Sequence, residues 1–435
     1  MTVFRKWLLL LLAACFALSA FSGMAETTTV DVNALQEKYE EHALNVVQAL
    51  ANYGCDNLNL YGNKSPFDRK TDLFNLLRKF DGGWFSKTSK RTVENLKTDN
   101  WQVVSDTEFT VNAYCDFTIL YSYDRSTETF HCGWKLTYRR SNAEGAWALQ
   151  DLSILPNETD AQKAKAYNAN HSDITIHPVT AKFSTGYMAI LEDPSRMYVG
   201  TINKFGSGVT GMRIDDLCEK YGAAGGMNGG GFEDKGGGGK GGAPFGLVIS
   251  QGKQLKVHTP KGEASSVVIG FDENDKLIIG KFKSNEIEGL KLRDAMAFNY
   301  ALVQEGELVK NEKAPLAYTT RTAIGQDAEG RVLMLVMKGR EPDSLGASLD
   351  ELAEIMLQFG AVNAANLDGG SSTCLYLNDE SIYSGFRLDC SRRIPTAFLI
   401  APLENEVKRE KPFGESISIA SPSAPPEQRK RERTR

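Results

Sequence analysis

Histidine is scarce in this chain, and so is every pattern that would hold a metal. Five histidines occur in 435 residues, with no HxH or HExxH pairing. His171, His177 and His258 lie outside every motif discussed below, which disfavours histidine-based hydrolysis and a zinc phosphodiesterase. Seven cysteines are present, but no two stand in CxxC spacing, so a structural zinc or a redox dithiol is not indicated. Basic excess is missing too: 50 Lys and Arg face 55 Asp and Glu, a net charge of −5. Affinity for a polyphosphate needs a positive surface, so no nucleic-acid partner is expected. A phosphate loop is absent, because Lys240 in "GGGGKGG" precedes Gly241 where Ser or Thr is required. Gly236, Gly238 and Gly241 match a dinucleotide fingerprint only because glycine is so abundant there. No cofactor signature is evident, and a divalent cation stays open.

What is present begins with an address. Arg5 and Lys6 precede an apolar run from Trp7 to Ala25 that ends in "SGMA", the make-up of a secretory signal over 1–25. The run is close to the ~20 residues of a bilayer span, so an uncleaved N-terminal anchor is a second reading. "LAAC", ending at Cys15, resembles a bacterial lipoprotein box. All three place the body outside the cytoplasm, secreted or attached to the cell envelope. Export would permit disulfides such as Cys374 to Cys390 or Cys115 to Cys132.

The body reads as α+β in two units. Val30 to Tyr53 carries Leu35, Tyr39, Ala43, Val46, Val47 and Leu50 at helical spacing, and a second helix is predicted around Asp72 to Phe80. From Trp101 the period becomes two, through "WQVVS", "EFTVNAYCDFTILYSYD", "TETFHCGWKLTYRR" and "AWALQDLSIL". Helices followed by an antiparallel meander define an accessory unit over 30–155, similar in order to ketosteroid isomerase-like cones. Residues 156–173 are polar and read as a linker. Residues 174–402 mix strands and helices in a second domain, and 403–435 form a charged tail too poor in apolar surface to order.

Within 174–402, glycine-punctuated segments recur: "DPSRMYVG", "MNGGGF", "RTAIG", "GASLDELAEIMLQFGAVNAANLDGGSST" and "SRRIPTAFLI". In the fourth, Ser348 and Glu351 form a capping box and Gly360 stops the helix. In that order these segments resemble the phosphodiester glycosidases over essentially all of 174–402. The insert Lys235 to Gly242 departs from the pattern and reads as a flexible flap or a disordered insertion.

The resemblance implies hydrolysis of the C1–O bond of a sugar-1-phosphodiester, here in an envelope or extracellular glycan. Its leaving group is a phosphate monoester, far less basic than an alcohol. The site can therefore dispense with a strong general acid and concentrate on stabilising negative charge. Arginine suits that task, because its fork binds phosphate oxygens and stays charged. Arg321 is the first candidate, then Arg392 and Arg393. Asp368 is the candidate base or nucleophile. Asn228 and Asn366 end strands and offer amides to the substrate, flanked by Gly229, Gly230, Thr322, Gly369, Gly370, Ser371 and Ser372. Asn228→Ala is expected to cut activity without unfolding the protein, and shortening the insert to spare folding. Two other functions compete: P–O cleavage by a phosphodiesterase, and non-catalytic binding of an envelope glycan.

Overall fold

The computed structural model describes residues 30–55, 65–80, 88–122, 124–234, 239–256, 267–312, 314, 317–385 and 391–403. The N-terminal address, Cys390 and the charged tail beyond 403 lie outside them.

The first unit follows the predicted order. Helix α1 spans Val32–Cys55 and buries the expected stripe, with Leu35, Ala43, Val46, Val47 and Leu50 in the core and Tyr39 packed partly against it. Helix α2, Asp72–Leu77, is capped by Thr71, whose side chain accepts from Phe74 N. It stops short of Phe80 because that ring has another task. Phe80 stacks on Tyr318 at 4.5 Å between ring centroids and meets Phe183 edge-on at 5.1 Å. One sheet follows, in the order β1 (Thr88–Ser105), β2 (Glu108–Tyr121), β3 (Thr127–Arg139), β4 (Ala148–Ile154). Alternation along β2 and β3 buries Phe109, Phe117, Trp134 and Tyr138 completely. Cys115 and Cys132 face each other across this pair, both buried and not joined in a disulfide.

Strand β1 begins thirteen residues before the predicted Trp101, counting from Thr88. Its first thirteen residues, "TSKRTVENLKTDN", are largely polar and carry no apolar alternation. As an edge strand it needs none, and register shifts against β2, with Asn95 and Asn100 at φ 53° and 50°, bend and interrupt it, a common protection of sheet edges.

The segment read as a linker is ordered. Residues Glu158–Asn168 form helix α3, capped by Asn157. Its apolar face consists of little more than Ala164 and Tyr167, so no stripe announces it. The Asn168 side chain pins it to the next strand by bonding both N and O of Ile176 at 2.8 Å.

In the second domain every strand pairing is antiparallel among the described residues. Its chain order is β5 (Ile174–Thr180), β6 (Thr185–Leu191), β7 (Met197–Thr201), α4 (Ile214–Tyr221), β8 (Gly225–Asn228), β9 (Val248–Ser250), β10 (Lys253–Lys256), β11 (Val267–Asp272), β12 (Leu277–Gly280) and α5 (Ser284–Ile287). Then come β13 (Leu292–Phe298), β14 (Ala301–Gln304), β15 (Glu307–Leu308), β16 (Arg321–Asp327), β17 (Val332–Met337), α6 (Leu349–Gln358), β18 (Ala361–Asn366), β19 (Cys374–Leu377), β20 (Glu380–Ser384) and β21 (Thr396–Ile400).

They form a seven-stranded sheet, β15-β14-β18-β16-β17-β6-β5, and two five-stranded ones, β20-β19-β8-β21-β7 and β10-β9-β13-β11-β12. All three share one apolar core around Ile269, Met296, Ile324, Met334, Ala365, Leu375 and Phe398. The other face of the seven-stranded sheet packs on α6, which has the predicted Ser348–Glu351 capping box and ends at Gly360, φ 82°. Strand β8 lies in the middle of its sheet, with Gly225 and Gly226 where any Cβ would come within 2.5 Å of the carbonyls of Tyr376 and Phe398. The two units share a core as well, because Phe183 and Leu345 of the second pack into the first.

Candidate active site

Two strand ends and one strand start meet at the top of these sheets. Leu367 N bonds Thr322 O at 2.8 Å, Asp368 N bonds Gly229 O at 3.2 Å, and Gly370 N bonds Thr320 O at 2.9 Å. The segments "MNGGGF", "RTAIG" and "NLDGGSS" therefore converge in the backbone. Their side chains divide.

Asn228 is fully buried. Its Nδ2 donates to Asp368 O at 2.6 Å, while its Oδ1 accepts from Thr322 Oγ1 at 2.9 Å and Cys374 N at 3.0 Å. This amide has no face for a sugar, so Asn228 and Thr322 are corrected from substrate contacts to positioning residues. Arg321 is corrected as well. Side chains alternate along a strand, and Thr322 points to Asn228, so Arg321 emerges on the α6 side. There it holds two carbonyls, Ala347 O at 3.2 Å and Ala317 O at 2.6 Å. Asn366 pairs across from Ala323, on that same side. Gly229 and Gly230 are packing glycines rather than ligand contacts, because a Cβ there would come within 2.6 and 2.4 Å of the carbonyls of Thr396 and Ala297. Arg393 turns away to Gly211 O at 3.2 Å.

The remaining candidates cluster. Asp368 is only partly exposed, and burial pushes its carboxyl up to about 6, against the hydrogen bond from Ser372 and the Arg392 charge, which favour the carboxylate. Arg392 Nη1 donates to Asp234 Oδ2 at 2.6 Å and to Ser371 Oγ at 3.4 Å, and Nη2 donates to Gly239 O at 3.2 Å. Its guanidinium lies over the Phe232 ring, 4.9 Å from the centroid. The Arg392 hydrogen bond, helped by Gly239 N, holds the Asp234 carboxyl below its ordinary range despite partial burial. Two carboxyls thus flank one guanidinium with their proton affinities driven apart, an arrangement suited to giving one the protonated and the other the ionised role.

Asp234, directly before the glycine-rich insert, was not among the sequence candidates, nor was Phe232 by itself, although it closes the "MNGGGF" segment. Arg340 was missed as well: its Nη1 would lie 3.3 Å from a Cβ on Gly370, which adopts φ 61°. No spacing in "VMKGRE" signals that placement. The insert is also not a simple flap. Gly211 N bonds Lys240 O at 2.7 Å and Gly206 N bonds Gly242 O at 2.8 Å, tying its end down; residues 235–238 lie outside the described residues. Among the described residues, no group of three or more His, Cys, Asp or Glu is arranged to hold a metal ion.

An antiparallel domain with a carboxyl pair and two guanidinium groups at converging strand ends has the build of a site for an anionic ligand. Residues 221–401 match the phosphodiester glycosidase family model. The match starts at Tyr221, the last residue of α4, later than 174, although β5 to β7 belong to the same sheets. The bovine N-acetylglucosamine-1-phosphodiester alpha-N-acetylglucosaminidase is 28% identical over 130 residues, 30% of this chain and 22% of that protein. Its human counterpart is 42% identical over 60 residues, 14% of this chain and 12% of that protein. The chain thus spans under a quarter of the length of these relatives. The zebrafish enzyme's catalytic domain, solved auto-inhibited by its pro-peptide, superimposes over 54% of this chain and 85% of its own with a TM-score of 0.44 and 20% identity. A hypothetical protein from Synechocystis covers 76% of this chain and 85% of its own with a TM-score of 0.38 and 16% identity.

Proposed function

We propose that this protein is an exported phosphodiester glycosidase that hydrolyses the C1–O bond of a sugar-1-phosphodiester in an envelope or extracellular glycan. The observation that carries this reading is the Asp368–Arg392–Asp234 group, within the segment that matches the family. Arg392, beside Ser371, and Arg340, against Gly370, receive the phosphate. Ser371 and Ser372 offer hydroxyls beside it. As the C1–O bond breaks, the electron pair stays on the phosphate oxygen, which the guanidinium groups stabilise without a strong acid. Asp368 takes a proton from water attacking C1, or attacks C1 itself and is then released by water. A carboxyl titrating at about 6 is a base at neutral pH with enough basicity to accept that proton. Asn228 fixes Asp368 through its carbonyl, and Asp234 keeps Arg392 aimed across the site.

Export rests on the N-terminal run over 1–25; among the described residues no helix is long and apolar enough to cross a membrane. Hydrolysis of a sugar phosphodiester in ¹⁸O water, with and without chelator, tests the reaction class. Label in the sugar supports C1–O cleavage. Label in the phosphate refutes it in favour of P–O cleavage.

A further inference from the structure

A second opening lies beside this site. A cleft of about 580 Å³ runs between the first unit and the second domain, walled by Glu128 and His131 at the start of β3, Thr159 and Lys163 of α3, and Tyr383 and Ser384 of β20. Its floor is polar and already braced. Lys338 Nζ holds both oxygens of Asp160, at 2.6 and 2.8 Å, and Tyr187 donates to the same carboxylate at 2.6 Å. Tyr383 donates to Glu341 Oε1 at 2.8 Å, and Asn157 donates to Asp343 Oδ2 at 3.3 Å.

A buried ion pair is a poor way to stabilise a fold, since apolar residues of similar volume often do as well. Here the paired charges line an opening within the usual ~300 to 1,000 Å³ range of small-molecule sites. Acids outnumber bases in the lining, with Glu128, Asp160, Glu341 and Asp343 against Lys163 and Lys338, which disfavours a second anion. Fixed carboxylate acceptors beside hydroxyl and ammonium donors match the alternating hydroxyls of a sugar.

The cleft also connects to the candidate site at two points. Arg340, whose guanidinium lies against Gly370, sits in the chain between Lys338 and Glu341 of the floor. Ser384 leads into Gly385, which donates to Thr373 O at 2.8 Å and leaves no room for a Cβ against Gly370 O, 2.4 Å away. A phosphate at Arg340 would thus lie against Gly370, two residues from Asp368 in the chain, on the segment that joins Lys338 and Glu341 of the cleft floor. We propose that the cleft is the subsite for a neutral, hydroxyl-rich saccharide on the phosphate side of the scissile bond. The inference rests on the phosphodiester glycosidase reading for the substrate, and it gives the first unit a part in choosing it.

Thr159 is exposed and near the start of α3, so Thr159→Trp fills the mouth of the cleft and Thr159→Ala leaves it open. Saturation-transfer NMR with millimolar lactose, maltose and cellobiose should give a signal from at least one sugar with the wild type and Thr159→Ala, and lose it in Thr159→Trp. No signal from any of the three, or a signal unchanged in Thr159→Trp, overturns the proposal. In kinetics, Thr159→Trp should lower kcat/KM for a sugar phosphoryl-disaccharide roughly tenfold while leaving the methyl phosphodiester of the same sugar unchanged. An equal effect on both substrates overturns the cleft and leaves the glycosidase reading standing. Disaccharide binding blocked by Thr159→Trp, with neither phosphodiester hydrolysed, supports the cleft and removes the glycosidase reading.

Discussion

Replacing Asn228 with alanine should unfold the protein more readily as well as inactivate it, against the expectation from sequence alone. The side chain has no exposure and makes three hydrogen bonds, to Asp368 O, Thr322 Oγ1 and Cys374 N. Truncation strands those three groups. A stranded buried group costs about 1–3 kcal/mol; Thr322 can rotate its hydroxyl, so the sum settles at roughly 3–5 kcal/mol. In a domain of this size such a loss lowers Tm on the order of 10 °C. Activity should fall too, because the Asp368 carbonyl loses its anchor. The assay pairs thermal and urea unfolding with turnover measured well below the new midpoint. A Tm within about 2 °C of the wild type, together with abolished turnover, would refute the reasoning and return Asn228 to direct substrate contact.

The other predictions concern charge. Because Asp368 is raised to about 6 in the folded protein, folding favours its protonated form. The stability it contributes is full below the ordinary carboxyl range and is lost as pH rises through about 6. Asp368→Asn should therefore flatten the decline of stability between pH 4 and 7, by on the order of 2 kcal/mol. The same variant should lower kcat by ~10²-fold or more and abolish the acidic limb of the kcat/KM profile near pH 6. A limb that survives assigns the base elsewhere. Asp234→Asn removes a negative neighbour that raises Asp368, so the limb should move to lower pH; a shift upward contradicts the pairing. Arg392→Gln should raise KM for a phosphodiester by ~10-fold or more, whereas Arg321→Gln should lower Tm and leave kcat/KM of the folded enzyme unchanged. The reverse pattern restores Arg321 to the anion site.

The α1 stripe, the β2 to β4 alternation and the α6 capping box were legible because burial writes its period directly into sequence. The β1 residues before Trp101 and helix α3 were not: the former are a polar edge, and the latter is held by Asn168, Tyr167 and Asp160 rather than by an apolar stripe. The site shows a similar division. The strand-to-glycine corners at Asn228 and Asp368 marked where the backbone converges. Strand alternation then decided which neighbour faces the opening, and it sent Thr322 inward and Arg321 outward. Asp234 and Arg340 escaped notice because each reaches the site through a loop whose path depends on tertiary contacts, Gly239 with Arg392 in one case and the left-handed Arg340 itself, φ 59°, in the other.

The ring trio of Phe80, Phe183 and Tyr318 has a practical meaning for anyone dividing this chain. A fragment starting at residue 174 would keep every group of the Asp368 cluster yet present two bare aromatic side chains and Leu345 to water. It should self-associate unless Phe183 and Tyr318 are made hydrophilic, so the amino-terminal third is better regarded as a permanent cover than as a detachable accessory.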